Sequence, residues 1–146
     1  MIALGNDAAG FGLKQEVIRY LEEKKIPYKD YGSYDEEAVD YPVYAKKVAY
    51  AVKDGECEKG ILICGTGIGV SIAANKVKGI RAALCHDTFS AQATREHNDA
   101  NILTMGARVI GTGLALKIVE SFLNTEFSGI ERHARRVSML EEEAGS

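Results

Sequence analysis

The stretch that most constrains this chain is Gly60-Ile61-Leu62-Ile63-Cys64, followed at once by Gly65-Thr66-Gly67-Ile68-Gly69-Val70-Ser71. A short, wholly apolar run that stops at a glycine-rich turn reads as a strand buried on both faces. Such strands occur in parallel sheets covered by helices on each side. The rest of the chain repeats the theme. Strand-like runs fall at Met1–Gly5, Ile26–Asp30, Gly60–Cys64, Arg81–Cys85 and Asn101–Met105, with amphipathic stretches between them. Leu13, Val17 and Leu21 recur at helical spacing, as do Leu114, Ile118 and Phe122. Pro42 suits the first turn of a helix carrying Val48 and Val52, and Asp87 suits the N-cap of the next. Strict alternation of strand and helix implies right-handed βαβ units. The expected fold is α/β: a doubly wound, Rossmann-like, five-stranded parallel sheet.

At 146 residues with no break in composition, residues 1–146 are expected to form one domain. The last segment, Arg132 to Glu143, carries only a thin apolar stripe of Ala134, Val137 and Leu140. That is too little for a core helix, so it is expected to pack on a partner subunit.

A formal net charge of −3 argues against nucleic acid or a membrane surface as partner. An anionic ligand would therefore need a local basic cluster. No apolar run approaches the roughly 20 residues that span a bilayer. The first strand begins just after Met1, so no signal peptide is expected and the expected location is cytoplasmic. The three cysteines, Cys57, Cys64 and Cys85, are odd in number and irregularly spaced, as no disulfide framework or metal motif would be.

In an open parallel sheet, ligands bind beyond the carboxyl ends of the strands. The residues delivered there are Asn6-Asp7-Ala8 after the first strand, Cys64 and its glycine turn after the third, His86-Asp87 after the fourth and Gly106-Ala107-Arg108 after the fifth. The Gly65–Ser71 turn offers backbone N–H groups at a helix N-terminus, a setting that favours an anion or a thiolate at Cys64. The plain alternative is a buried strand cysteine beside a tight turn. Gly65, Gly67 and Gly69 also resemble part of a dinucleotide fingerprint, with Asp87 at a suitable distance for a ribose hydroxyl. The full pattern places its third glycine where this chain has Val70, and no substrate domain follows.

His97, near a helix end, reads either as a cap for the dipole or as a functional group. Cys85 reads as core, His86 as loop and Cys57 as a surface loop residue. Arg132 and Arg136, four residues apart, share a helix face and could clamp a phosphate or simply be solvated. Glu141-Glu142-Glu143 reads as solvated charge.

With those residues laid out, the chain closely resembles the ribose-5-phosphate isomerase B family, which includes the galactose-6-phosphate isomerase subunits. The resemblance runs through Gly5-Asn6-Asp7, Asp40-Tyr41-Pro42, the Gly60–Lys76 stretch, Gly79-Ile80-Arg81-Ala82, Arg95–Asn101, Gly106-Ala107-Arg108-Val109 and Arg132–Val137. It implies an aldose–ketose isomerase that interconverts ribose 5-phosphate and ribulose 5-phosphate. By resemblance, His97 near Asn98 opens the furanose ring. Cys64 then moves a proton from C2 to C1 through a cis-enediolate, and Thr66 and Asp7 handle the hydroxyl protons. Tyr41 lines the pocket, and Gly65, Gly67, Gly69 and Ser71 provide the anion hole. Arg108, Arg132 and Arg136 hold the phosphate, with His133 beside them. In the family the last two arginines come from a neighbouring subunit, so a homodimer or tetramer with its site at the interface is implied. No metal or organic cofactor is implied.

Two departures bear on the phosphate end. Most ribose-5-phosphate members carry Asp-His where this chain has Asp7-Ala8, and the spacing before Arg132 is altered at Ile130-Glu131. Allose 6-phosphate, galactose 6-phosphate or a free sugar are thus competing substrates. A non-catalytic sugar-phosphate-binding module is the competing class, one in which the Cys64, Thr66 and His97 set would have no use.

Overall fold

The computed structural model describes residues 1–142. Five strands alternate with helices in the expected order: β1 (Ile2–Asn6), α1 (Phe11–Glu23), β2 (Tyr28–Asp30), α2 (Tyr41–Lys53), β3 (Lys59–Cys64), α3 (Ile68–Asn75), β4 (Ala82–Leu84), α4 (Thr88–Ala93), β5 (Ile102–Gly106), α5 (Thr112–Asn124) and α6 (Glu131–Glu141). A π-helical turn, Thr94–Asn98, extends α4. The strands pair in parallel in the order β2-β1-β3-β5-β4. This is the doubly wound, Rossmann-like sheet expected, with β1 and β3 side by side where the winding reverses.

Alternation along the central strands sends side chains to two cores. Leu4, Ile61, Ile63, Leu103 and Met105 face α1 and α5, where they meet Leu13, Val17, Ile118 and Phe122. Ala3, Leu62 and Cys64 face α2 and α3, where they meet Val48, Val52, Val70 and Ala74. Each fully buried Leu, Ile or Phe contributes roughly 1.5–3 kcal/mol, so both faces of the sheet are stably covered. Pro42 lies in the first turn of α2, and Asp87 caps α4 by accepting from Ser90 N–H at 2.6 Å.

Three local expectations are corrected. Leu114 is 40% exposed, and the buried stripe of α5 runs instead through Ala115, Ile118, Val119 and Phe122. Cys57, expected on a surface loop, is buried with its Sγ 3.9 Å from the Tyr31 hydroxyl. Burial, helped by Glu56 and Cys57, raises the Tyr31 phenol above its ordinary value. Glu141 is not merely solvated, because it pairs with Arg81 at 2.5 Å across the chain; Glu143 lies outside the described residues. His86 lies in a loop as expected, and its Nε2 accepts the Gly106 N–H at 2.9 Å, bracing the end of β5. Among the described residues no helix is long and apolar enough to cross a membrane.

Candidate active site

The reversal between β1 and β3 opens a crevice at the carboxyl edge of the sheet, where ligands of such folds bind. Asp7 enters it directly from β1, its N–H donating to Ile63 O at 3.2 Å and its Oδ1 accepting the Gly10 N–H at 3.0 Å. Cys64 enters from the end of β3. The two line a cleft of about 440 Å³ with Tyr41, Gly65, Thr66, Ile68, Gly69 and Ile72.

The glycine turn shapes this cleft around the thiol. Gly67 sits at φ +76°, a left-handed conformation that favours glycine, and a β-carbon there would meet the Met105 carbonyl carbon at 2.7 Å. That bend turns the Gly67 N–H onto Cys64 Sγ, 3.1 Å away. The Ile68 N–H donates to Thr66 Oγ1 at 3.2 Å. Two amides of the expected anion hole are thus already engaged, one of them by the thiol itself. Gly69 and Val70 follow in the first turn of α3, where N–H groups lack helical acceptors. The Tyr41 ring lies over Gly69, so close that a β-carbon there would meet it at 2.7 Å. Arg108 reaches the rim: its N–H donates to Gly65 O at 3.0 Å, and its side chain would pass 3.5 Å from a β-carbon on Gly65.

His97, Asn98, Arg132, His133 and Arg136 lie elsewhere. Ile102 is level with Gly60 and Gly106 with Cys64, so β5 starts at the amino edge of the sheet. Four residues of strand separate those levels, roughly 13 Å at the usual rise. The turn carrying His97 and Asn98 precedes β5 and closes at that amino edge, where Ala100 N donates to Thr94 O at 3.2 Å. The His97 ring is 4.6 Å from that of His133, centroid to centroid. Arg132 and Arg136 are exposed on the same helix, α6. Within one chain the expected residues therefore form two groups, one at each edge.

A larger cavity, about 620 Å³, also lies at the amino edge between α3, β4 and the tip of α6. Its central cation, Arg81, is already engaged by the Asn98 and Asp99 carbonyls, by Asp99 and by Glu141. Cys85 is core as expected, and burial, with Asp87 nearby, pushes its thiol up to about 11.

Sequence reasoning missed a polar layer behind Asp7. Lys14 is fully buried, donating from Nζ to Asp30 Oδ1 at 2.8 Å and to Ser33 O at 2.5 Å. Asn6, also buried, donates from Nδ2 to Asp7 O at 2.7 Å and Ser33 Oγ at 3.2 Å. Lys14 lies one residue from Leu13 and three from Val17, on the inner face of α1. A charged residue on that stripe was the signal available.

Residues 2–140 match the sequence profile of the Ribose/Galactose Isomerase family. The chain is 49% identical to ribose-5-phosphate isomerase B of Escherichia coli, over 95% of this chain and 93% of that one. It is 50% identical to a D-erythrulose-4-phosphate isomerase of Pectobacterium atrosepticum, over 88% and 85%. Among solved structures, a ribose 5-phosphate isomerase of Thermotoga maritima superposes with a TM-score of 0.95 at 51% identity, covering 97% of each chain.

Proposed function

The chain belongs to the ribose/galactose isomerase family and is a sugar-phosphate aldose–ketose isomerase; from that premise we propose that it interconverts ribose 5-phosphate and ribulose 5-phosphate with Cys64 as the base. The observation that carries this reading is the Gly67 N–H aimed at Cys64 Sγ in an open cleft. That donor holds the sulfur at the cleft, where it can meet a proton on carbon. Cys64 removes the proton from C2, the electrons pass into the carbonyl, and a cis-enediolate forms. The same thiol then returns the proton to C1. Thr66 and Asp7, both on the cleft, move the hydroxyl protons, and Tyr41 forms a wall of it. Charge on the enediolate oxygen is met by the free amides at the start of α3, Gly69 among them, with Gly65 and Ser71 flanking them.

A second copy of the chain completes the site in this proposal. His97 opens the furanose, Asn98 lies beside it, and Arg132 and Arg136 hold the phosphate, all from the partner. Arg108 meets the phosphate from the cleft's own chain. The separation of the two groups across the sheet supports this arrangement, as does the exposure of Ala134, Met139 and Leu140 on α6. Residues 1–146 then act as one isomerase domain.

A second reading keeps the chemistry and changes the sugar. Ala8, next to Asp7, carries no donor for phosphate, which favours tolerance of other chain lengths, from tetrose to hexose phosphates. Proton NMR in heavy water over a panel of tetrose, pentose and hexose phosphates tests both. Deuterium entering C1 or C2 of ribose 5-phosphate or ribulose 5-phosphate fastest supports the first reading. Faster exchange in another sugar supports the second, and no exchange in any sugar refutes the proton-transfer reading.

A further inference from the structure

His97 is exposed, yet the turn that carries it is tied down from both sides. It stands on the π-helical turn Thr94–Asn98, a form that is rare and concentrates at functional sites. Arg95, 7% exposed, locks that turn from within. Its guanidinium donates to Thr125 O at 3.0 Å, to Asp99 Oδ1 at 2.8 Å and to Ala100 O at 2.8 Å. From outside, Ser128 N donates to Glu96 O at 3.1 Å, tying the loop before α6 to the residue preceding His97.

The ring that meets His97 is His133, the only buried residue of α6. Its plane is tilted 45° to that of His97 at a centroid distance of 4.6 Å. Ser128 Oγ lies 2.7 Å from His133 Nδ1 and accepts the Ile130 N–H at 3.2 Å. The hydroxyl and the ring are thus joined through Nδ1, whichever of the two donates. Burial, then the charges of Arg132, His97 and Arg136, hold His133 below the usual histidine range, against the smaller opposite pull of Glu96.

We propose that His133, held in place by Ser128, is the positioning residue for His97 and sets that ring's orientation for opening the sugar. The role rests on the reading of His97 as the ring-opening residue. Ring opening removes the proton of O1, makes C1–O1 a carbonyl, breaks the bond from C1 to the ring oxygen and returns a proton to that oxygen. One imidazole can take the first proton and deliver the second, provided it faces both oxygens in turn. A neutral ring alongside holds it there without opposing the charge it gains midway.

Ribose 5-phosphate is a furanose, whereas ribulose 5-phosphate has no hydroxyl placed to close a five-membered ring and is open-chain. The two substrates therefore separate ring opening from proton transfer. His133→Ala should slow turnover of ribose 5-phosphate roughly 100-fold, the scale expected for a misplaced catalytic group. Solvent-deuterium incorporation into ribulose 5-phosphate should fall far less. His133→Phe, which keeps a flat ring against His97, should recover most of the lost turnover, and Ser128→Ala should show a smaller loss with the same selectivity. If His133→Ala does not fold, these two variants decide the matter by the same ratio. Equal losses on both substrates, or no loss on either, overturn the proposal. His97→Asn is the separate arm. A ribose-selective loss there with none in the His133 and Ser128 variants removes only the role of His133. A non-selective loss in His97→Asn removes the ring-opening reading and the proposal with it.

Discussion

The backbone N–H of Gly67 points at the sulfur of Cys64 from 3.1 Å, inside a cleft that also holds Asp7, Tyr41 and Thr66. No other cysteine is so placed: Cys57 and Cys85 are buried in the two cores.

Cys64→Ala should therefore abolish isomerisation and solvent-proton exchange while leaving sugar-phosphate binding largely intact. Loss of a general base costs roughly 10²–10⁴-fold. Steady-state rates and deuterium exchange check this, with Cys85→Ala expected to alter stability alone. Near-normal turnover in Cys64→Ala would assign the proton to another residue.

Cys64 and the Arg132–Arg136 pair occupy opposite edges of the sheet, so their defects should complement. Mixing inactive Cys64→Ala chains with inactive Arg132→Ala/Arg136→Ala chains should restore activity, because one site of each mixed dimer is wild type throughout. Activity measured after subunit exchange, verified by native mass spectrometry, tests this. A fully exchanged mixture that stays inactive would place both arginines in their own chain's site.

Ala8→His should lower KM for ribose 5-phosphate and change kcat little, since a phosphate contact is made in ground and transition states alike. A hydrogen bond to a charged group is worth about 1.5–3 kcal/mol, or roughly 10–150-fold in affinity at most. Preference should shift toward five carbons, read from kinetics on ribose 5-phosphate and allose 6-phosphate. An unaltered KM and preference would mean that position 8 does not face the phosphate.

Lys14→Met should destabilise the fold by about 3 kcal/mol, the lower end for breaking a buried ion pair, because Asp30 keeps some contact with water. The Ser33 carbonyl loses its donor at the same time. Urea unfolding should show a lower midpoint at an unchanged slope. A midpoint equal to wild type would show that the pair contributes nothing net.

Acid should loosen α6 before the sheet. His133 has a lowered pKa in the folded chain, so between that value and the ordinary one, about 6.5, the unfolded chain binds more protons. Its contribution is complete above pH ~6.5 and is lost as pH falls below it. Hydrogen exchange of α6 amides, corrected for intrinsic rates, should accelerate on that side; protection that is flat with pH would contradict it.

The sheet, its five strands and the edge that bears the cleft were legible in the sequence because they rest on local patterns. An apolar run ending in Cys64-Gly65-Thr66-Gly67 admits few folds, and helical spacing in Leu13, Val17 and Leu21 states which face goes inward. The motifs also placed Asp7, Cys64 and Thr66 at or just after strand ends that the fold brings together. What periodicity could not yield depends on distance between remote segments. The apolar stripe of α1 could flag Lys14 as inward-facing but not what holds it, because the groups that accept its protons, Asp30 and Ser33, belong to the far end of β2 and the loop after it. Cys57 looked like a loop residue because its burial comes from Tyr31 and the α2 face, not from its polar neighbours. Chain order put His97 just before β5, but only the structure showed that it meets His133 there and how far it stands from Cys64. Strand register decided that separation, because in a parallel sheet a residue just before one strand and a residue at the end of its neighbour lie a full strand length apart.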